Sequence, residues 1–481
     1  MNRPLRHVWL VIGVLFVLLF TSTTYFQVVA QGRLNAHGQN DRTLYNEYGR
    51  HRGPIVVDGH AIASSQESGD TYGYLRTYDP GAMYAPVTGY YSVVYGFTGI
   101  ERTLNDTLSG EADALFYHRI SDILSGRQGR GATVELTLDS AAQEAAWKAL
   151  EGRRGAAVAL DPETGAVLAM VSAPSFDPNR LASHDGPAVA ESWTALNDDP
   201  DRPLTNRAIG GDLYPPGSAF KLVVASAALE SGQYTADSEI PGPGTWQLPN
   251  SSAVMNNHAS GGTEPCGPDD TSTLADALRQ SCNTSFAQLG VDLGEEQLRE
   301  TAEGFGFGER LEVPLSVTPS TIGEDLDDAQ LATTSIGQYE TRVTPLQMAM
   351  VAGTFANDGV TMEPQLVQAV RTNDLSTVAE LTPKELGQPL SAANAAQMRQ
   401  MMVGVVEDGT GTAAAIDGAE VGGKTGTAQW GEDRAPHSWY VGYGQQEDRK
   451  IAVAVVVEEG GYGSRTAAPI AKDVMEAVIR P

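Results

Sequence analysis

Hydrophobic and polar positions divide the chain into three stretches. From Val8 to Ala30, 23 residues carry no charge, and Leu, Val, Ile and Phe dominate as far as Phe20. That length spans a bilayer, and Arg3 and Arg6 ahead of it predict an anchor whose N-terminus, residues 1–7, stays cytoplasmic. Val28-Val29-Ala30 is also an acceptable cleavage site, so a removed signal peptide is the alternative to an uncleaved anchor over 8–30. Residues 31–154 are polar and rich in Gly, Tyr and Arg, with only short apolar runs. An extended segment is expected around Asn40, Arg42 and Arg52-Gly53-Pro54-Ile55. Gly99-Ile100-Glu101 follows, and Leu136–Asp139 leads into a helix over Ala141–Leu150. The pattern changes at Gly155. Ala156–Leu160 and Ala166–Val171, joined by Asp161-Pro-Glu-Thr-Gly165, predict a buried β-hairpin. After a long polar connection and a helical middle region, Gly422–Trp430, Trp439–Gly444 and Ile451–Glu458 predict three strands, and Ala468–Val478 a helix. A sheet whose strands come from both ends of a domain, with helices between, is an α+β arrangement. The expected organisation is a module over 31–154 and a second domain over 155–481.

One helix in the second domain is unusual. Ser218–Glu230 is apolar on nearly every face, which predicts a helix buried in the core, and Pro215-Pro216-Gly217 supplies its start. Lys221 lies one turn after Ser218, on the same face. A buried ammonium tends to lose its proton, and a neutral amine beside a hydroxyl is a base beside a nucleophile. The plain alternative is a snorkelling lysine and a capping serine.

Composition tilts that choice. Of 32 basic residues only six are lysines, at 148, 221, 384, 424, 450 and 472. A chain that uses arginine almost everywhere is expected to keep lysine where a tunable amine matters. The net charge of −28 offers no basic face for nucleic acid. The eight histidines and two cysteines show no metal-ligand spacing, and no glycine cluster completes a nucleotide fingerprint, so no cofactor is expected.

Two further motifs stand beside Ser218: Ser281-Cys282-Asn283 at a predicted helix–loop boundary, and Lys424-Thr425-Gly426-Thr427, expected to open the first of the three C-terminal strands. Each is weak alone. The ordered set Ser-x-x-Lys, Ser-x-Asn, Lys-Thr-Gly is strong, and it resembles the signature of the penicillin-recognising serine acyltransferases. Arg52-Gly53-Pro54-Ile55, Asn206-Arg207-Ala208, Ser335-Ile336-Gly337-Gln338 and Pro345-Leu346-Gln347-Met348 extend the likeness to the class B penicillin-binding proteins. The short length and small pedestal look most like the actinobacterial PbpA-type transpeptidases. Tyr339 departs from the pattern, since many relatives place glycine there.

The resemblance implies a penicillin-binding transpeptidase domain, with an antiparallel sheet flanked by helices, on an anchored N-terminal pedestal. It implies that Ser218 attacks the carbonyl between the terminal D-alanines of a peptidoglycan stem peptide, that Lys221 takes its proton and that Ser281 relays it to the leaving D-alanine. Asn283 is expected to bind the substrate backbone. Lys424 and Thr425 are expected to meet its carboxylate, and Gly426 to let it approach. Backbone N–H groups of Ser218 and Thr427 are expected to form the oxyanion hole. A second stem peptide supplies the amine acceptor, and β-lactams act as covalent inhibitors. Glu191 lies before Ser218 and is not expected to deacylate it. His437 and Trp439 read as structural. Cys266 and Cys282 fall outside the membrane, where a disulfide bracing Ser281 and Asn283 is expected, with two unpaired thiols as the alternative. Two other functions stay open: a D,D-carboxypeptidase, in which water takes the acyl group, and a scaffold that docks a membrane glycosyltransferase.

Overall fold

The computed structural model describes residues 2–30, 47–124, 129–257, 262–431 and 434–480; Asn40 and Arg42 lie outside them. The chain forms two compact units. The smaller comprises residues 1–51 and 66–75, and the larger comprises 52–65 and 76–481. In the smaller unit a helix over Asn2–Thr24 continues as a π-helical turn over Tyr25–Val29. The 26 residues Pro4–Val29 are long and apolar enough to cross a bilayer. Two of the hydroxyls in this run bond within the helix, Thr21 Oγ1 donating to Val17 O at 2.8 Å and Thr23 Oγ1 to Leu19 O. This helix is consistent with a single membrane anchor.

In the larger unit, the hairpin expected after Gly155 is formed by Gly155–Leu160 and Val167–Ala173. It joins Glu420–Ala428, His437–Gln446 and Arg449–Val457 in an antiparallel five-stranded sheet. Arg449–Val457 pairs with Gly155–Leu160, which closes the sheet across the whole domain, and Glu420–Ala428 is left as an edge. The strands are buried on both faces, so they read as apolar runs rather than alternations. Alternate residues nevertheless serve different layers. Ala156, Val158 and Leu160 pack into the main core with Phe220, Leu222 and Val223, while Ala157 and Ala159 face Ala468, Ala471 and Val474. The outer layer contains the C-terminal helix Ala467–Ile479 and the helix Ser140–Ala149, capped by Asp139 accepting from Ala142 N. That helix precedes Gly155, yet its core belongs to the five-stranded sheet.

A second sheet has six strands in the order Thr377–Glu380, Val367–Arg371, Thr133–Leu136, Ile55–Val57, His60–Glu67, Tyr74–Tyr78. Two of its strands thus come from beyond residue 155, which sequence periodicity did not anticipate. Next to this sheet, Arg52 and Glu101, in segments far apart in sequence, meet. Glu101 is fully buried and receives Arg52 Nε at 3.0 Å and Arg76 Nε at 2.6 Å. Arg76 also donates to Gly53 O, and Arg52 to Glu101 O. Burial alone would raise the Glu101 carboxyl, but Arg76 and Arg52 outweigh it and hold the group below its ordinary range.

A carboxylate depressed in the folded state contributes stability above its unfolded value and loses it as pH falls through the folded one. Glu101→Gln removes the buried carboxylate that Arg52 and Arg76 share, which costs about 3–5 kcal/mol. Calorimetric unfolding of the variant is expected to show a correspondingly lower Tm at neutral pH, with the gap to wild type narrowing in acid. An unchanged Tm contradicts this account of the pedestal.

Candidate active site

The helix expected from Ser218 is observed in two parts, a 3-10 turn over Gly217–Phe220 and an α-helix over Lys221–Glu230. Every residue from Ala219 to Leu229 is buried, whereas Ser218 is half-buried. The turn bearing Ser218 is gripped from several sides. Tyr214 exchanges backbone hydrogen bonds with Val343, and its hydroxyl donates to Glu458 at 2.8 Å, which also receives Arg207 Nε at 2.8 Å. Gly217 N donates to Gly337 O at 2.9 Å. Gly337 has φ +73, and a Cβ there would stand 2.1 Å from Gly217 O, so only glycine fits. The Ser335–Gln338 motif is therefore a support for the nucleophile turn. Tyr339, the departure from the family pattern, adopts φ +57, a conformation glycine accepts more readily; its hydroxyl accepts from Gln330 Nε2 at 2.9 Å.

Lys424-Thr425-Gly426-Thr427 lies in the second half of the strand Glu420–Ala428 rather than at its opening, and this strand is the sheet edge. The crowding at Gly426 comes from the protein itself: a Cβ there would lie 2.7 Å from Pro216 O and 2.8 Å from Trp439 Cβ. Gly426 thus lets the nucleophile turn lie against the strand, a reason different from substrate approach. Trp439 Nε1 donates to Pro215 O at 3.0 Å, and His437 Nδ1 accepts from Glu459 N at 3.1 Å. Both residues brace the site, and burial lowers the His437 pKa, favouring the neutral ring.

Ser281 ends the helix Leu274–Gln280 in a left-handed conformation, φ +66. Helices commonly spend glycine at this point. Here a side chain is kept, and its hydroxyl sits between two lysines. Lys424 Nζ donates to Ser281 Oγ at 2.8 Å and to Thr425 O at 3.1 Å. Lys221 Nζ donates to Ser281 O at 2.7 Å and Asn283 Oδ1 at 2.7 Å, and lies 3.4 Å from Ser281 Oγ. Among the described residues no hydrogen bond joins Lys221 to Ser218. Asn283 is held by Lys221, by its own N–H to Asn257 O at 2.9 Å and by Nδ2 to Asn256 O at 3.4 Å. Both lysines are fully buried. Burial, and secondarily the neighbouring Lys424, drives Lys221 well below the ordinary lysine value; burial lowers Lys424 to about 7.

Cys266 and Cys282 are joined by a disulfide, which fixes the residue between Ser281 and Asn283. Gln280 Nε2 adds a bond to Cys266 O at 2.9 Å. Ser218, Ser281, Asn283, Thr425 and Thr427 line one cavity of about 140 Å³, with the two lysines beneath it. Sequence reading missed the rest of the lining. Thr410 accepts the Thr425 hydroxyl at 2.7 Å, although Gly409-Thr410-Gly411 reads as an ordinary turn. Tyr462, Gly463 and Ser464 come from the loop after the last strand, where the run of glycines at 460, 461 and 463 was the available signal. Glu191 lies exposed on the helix Gly186–Asp198, and no acidic side chain lines the cavity among the described residues.

Comparison with known proteins agrees with this geometry. Residues 155–476 match the family described as "Penicillin binding protein transpeptidase domain", and residues 52–134 match "Penicillin binding protein A dimerisation domain". The chain is 42% identical to the peptidoglycan D,D-transpeptidase PbpA of Mycolicibacterium smegmatis, over 100% of this chain and 99% of the relative. It is 40% identical to PbpA of Mycobacterium tuberculosis over the same shares. Among solved structures, penicillin-binding protein A from M. tuberculosis as its penicillin G acyl-enzyme superposes with a TM-score of 0.83 at 39% identity, covering 89% of this chain and 99% of that one. The imipenem acyl-enzyme of the same protein gives 0.85 at 40% identity, covering 90% and 99%. The chain belongs to the penicillin-binding protein transpeptidase family, in its class B branch and close to the actinobacterial PbpA proteins.

Proposed function

We infer that the chain is a serine-type D,D-transpeptidase that cross-links peptidoglycan stem peptides through an acyl-enzyme on Ser218 and is acylated by β-lactams there. The observation that carries this reading is the convergence of Lys221 and Lys424 on one serine beneath the cavity into which Ser218 opens. A neutral lysine has two N–H donors and one lone pair. The two short bonds, to Ser281 O and Asn283 Oδ1, use both donors, so the lone pair is left to accept a proton.

In acylation, Ser218 Oγ bonds to the penultimate D-alanine carbonyl carbon and its proton passes to Lys221. The C–N bond to the last D-alanine then breaks, and the leaving nitrogen takes a proton through Ser281 Oγ, which Lys221 replenishes. The charge of Lys424 supports this relay through its bond to Ser281 Oγ and draws the substrate carboxylate towards Thr425. The oxyanion is held by Ser218 N–H and Thr427 N–H, Thr427 lying on an edge strand along which an extended peptide can add. The amine of a second stem peptide reverses the sequence, forming the cross-link and returning the proton to Ser218. With no carboxylate among the described residues lining the cavity to activate water, hydrolysis of the acyl-enzyme is slow. In this reading an uncleaved anchor with Arg3 and Arg6 on the inner side puts the chemistry outside the cytoplasm. Docking of a membrane glycosyltransferase by the pedestal would add to this activity, because the motif set is intact.

Intact-mass measurement after exposure to benzylpenicillin is expected to give one stable adduct on the wild type and none on Ser218→Ala. A folded wild type without adduct, or one that rapidly turns the antibiotic over, contradicts the assignment. A second expectation concerns pH. Lys424 is half-protonated near pH 7 in the free protein, and its charge is lost as pH rises. The second-order acylation rate with penicillin, whose carboxylate this cation attracts, therefore falls above about pH 7. A bound carboxylate favours the charged form, so the rate at saturation holds to higher pH. A second-order rate that stays level from about pH 6 to 9 refutes this role for Lys424.

A further inference from the structure

A second cavity, about 380 Å³, lies away from the catalytic motifs. Its walls include Tyr90, Phe176, Trp193, Leu204 and Ile209, and among the described residues Arg102 is the only charged side chain lining it. The rings are fixed by one another. Tyr90 stands edge-on to Phe176 at 6.2 Å and to Trp193 at 6.0 Å, and Tyr95 stacks on Trp193 at 4.4 Å. The backbone at the rim is equally constrained. Thr98 N donates to Tyr90 O at 3.1 Å, and a Cβ on Gly99 would lie 2.5 Å from Gly89 N. Protein interiors close such gaps when side chains are free to do so, and this one is held open.

Thr98, Thr103 and Asn206 in the lining are hydrogen-bonded within the protein, but two other polar groups are not. Arg102 is exposed, and its guanidinium makes no hydrogen bond or ion pair among the described residues, although acidic residues outnumber basic ones 60 to 32 in this chain. Its neighbour Glu101 turns inward to Arg52 and Arg76. The Tyr90 hydroxyl is likewise without a hydrogen bond among the described residues. An apolar, preformed cavity with few convergent polar groups is the usual form of a small-molecule site.

We propose that this cavity binds an amphipathic monocarboxylate, its apolar body against the Tyr90–Phe176–Trp193 rings and its carboxylate on Arg102. One guanidinium offers a bidentate fork matched to one carboxylate, whereas a dianionic phosphate would leave charge uncompensated in an acidic protein. At roughly 30 Å³ per non-hydrogen atom, the volume admits a body of about a dozen.

The test is calorimetric titration of the full chain in zwitterionic lipid nanodiscs with 4-phenylbutanoate and its neutral amide, empty discs serving as the blank. The wild type is expected to bind one carboxylate with millimolar or tighter affinity, at least about tenfold better than the amide. Prior exposure to benzylpenicillin leaves this binding unchanged, which separates it from carboxylate binding at Ser218. Arg102→Gln, at an exposed position, removes the preference while the amide binds as before, and Leu204→Trp, which fills the cavity, removes both. Absence of saturable binding to the wild type at about 20 mM overturns the proposal. So does equal affinity for acid and amide, or a preference that survives Arg102→Gln.

Discussion

The chemistry of this chain depends on placing two lysine amines where water does not reach. Lys221 and Lys424 are fully buried and meet at one serine; burial lowers the tendency of both to hold a proton, and the neighbouring Lys424 lowers that of Lys221 further. Burial of unpaired charge is costly, and the structure meets that cost with fixed acceptors: Ser281 O and Asn283 Oδ1 for Lys221, Ser281 Oγ and Thr425 O for Lys424. Ser281 holds an unfavourable left-handed backbone to keep its hydroxyl between them, and the adjacent Cys282 is tethered to Cys266. The second motif is thus the hinge between the other two.

The remaining architecture keeps the nucleophile turn in register with that pair. Gly217 and Gly337 bring two backbones into contact, and Gly426 lets the turn lie on the edge strand. Trp439 and the Tyr214–Glu458–Arg207 chain fix the turn from the sheet side. The strand that carries Lys424 receives its position from Trp439 and its neighbours in the adjacent strand, itself paired to the last strand and so to the hairpin after Gly155. Sheet closure by strands from both ends of the domain is therefore part of the site, since it sets where Lys424 stands relative to Ser218.

Much of this was legible beforehand, for physical reasons. The five-stranded sheet is buried on both faces, so its strands read as apolar runs, and the helix after Ser218 reads as buried because Ala219–Leu229 offers no polar face. Rarity of lysine exposed Lys221 and Lys424. What escaped was tertiary. Val367–Arg371 and Thr377–Glu380 alternate like any surface hairpin, and nothing local says that they extend the sheet of Ile55–Val57. Arg52 and Glu101 looked like two unrelated polar residues until folding buried them together. Thr410 is an ordinary turn residue whose value comes only from the hydroxyl of Thr425 above it. The spacing of Ser218 and Lys221 puts them on one helix face, but the acceptors that orient the amine, Ser281 O and Asn283 Oδ1, come from distant sequence and are seen only in the fold.

The measurement that bears most directly on the buried-amine account is an NMR titration of the lysine ε-carbons in Ser218→Ala protein carrying labelled lysine. Only six lysines contribute, and Lys221→Met identifies the signal in question. The account predicts that Lys221 exchanges its proton well below the ordinary lysine value, in steps coupled to Lys424. A Lys221 signal that remains cationic up to pH values near the ordinary 10.5 would contradict it and remove the base from the mechanism.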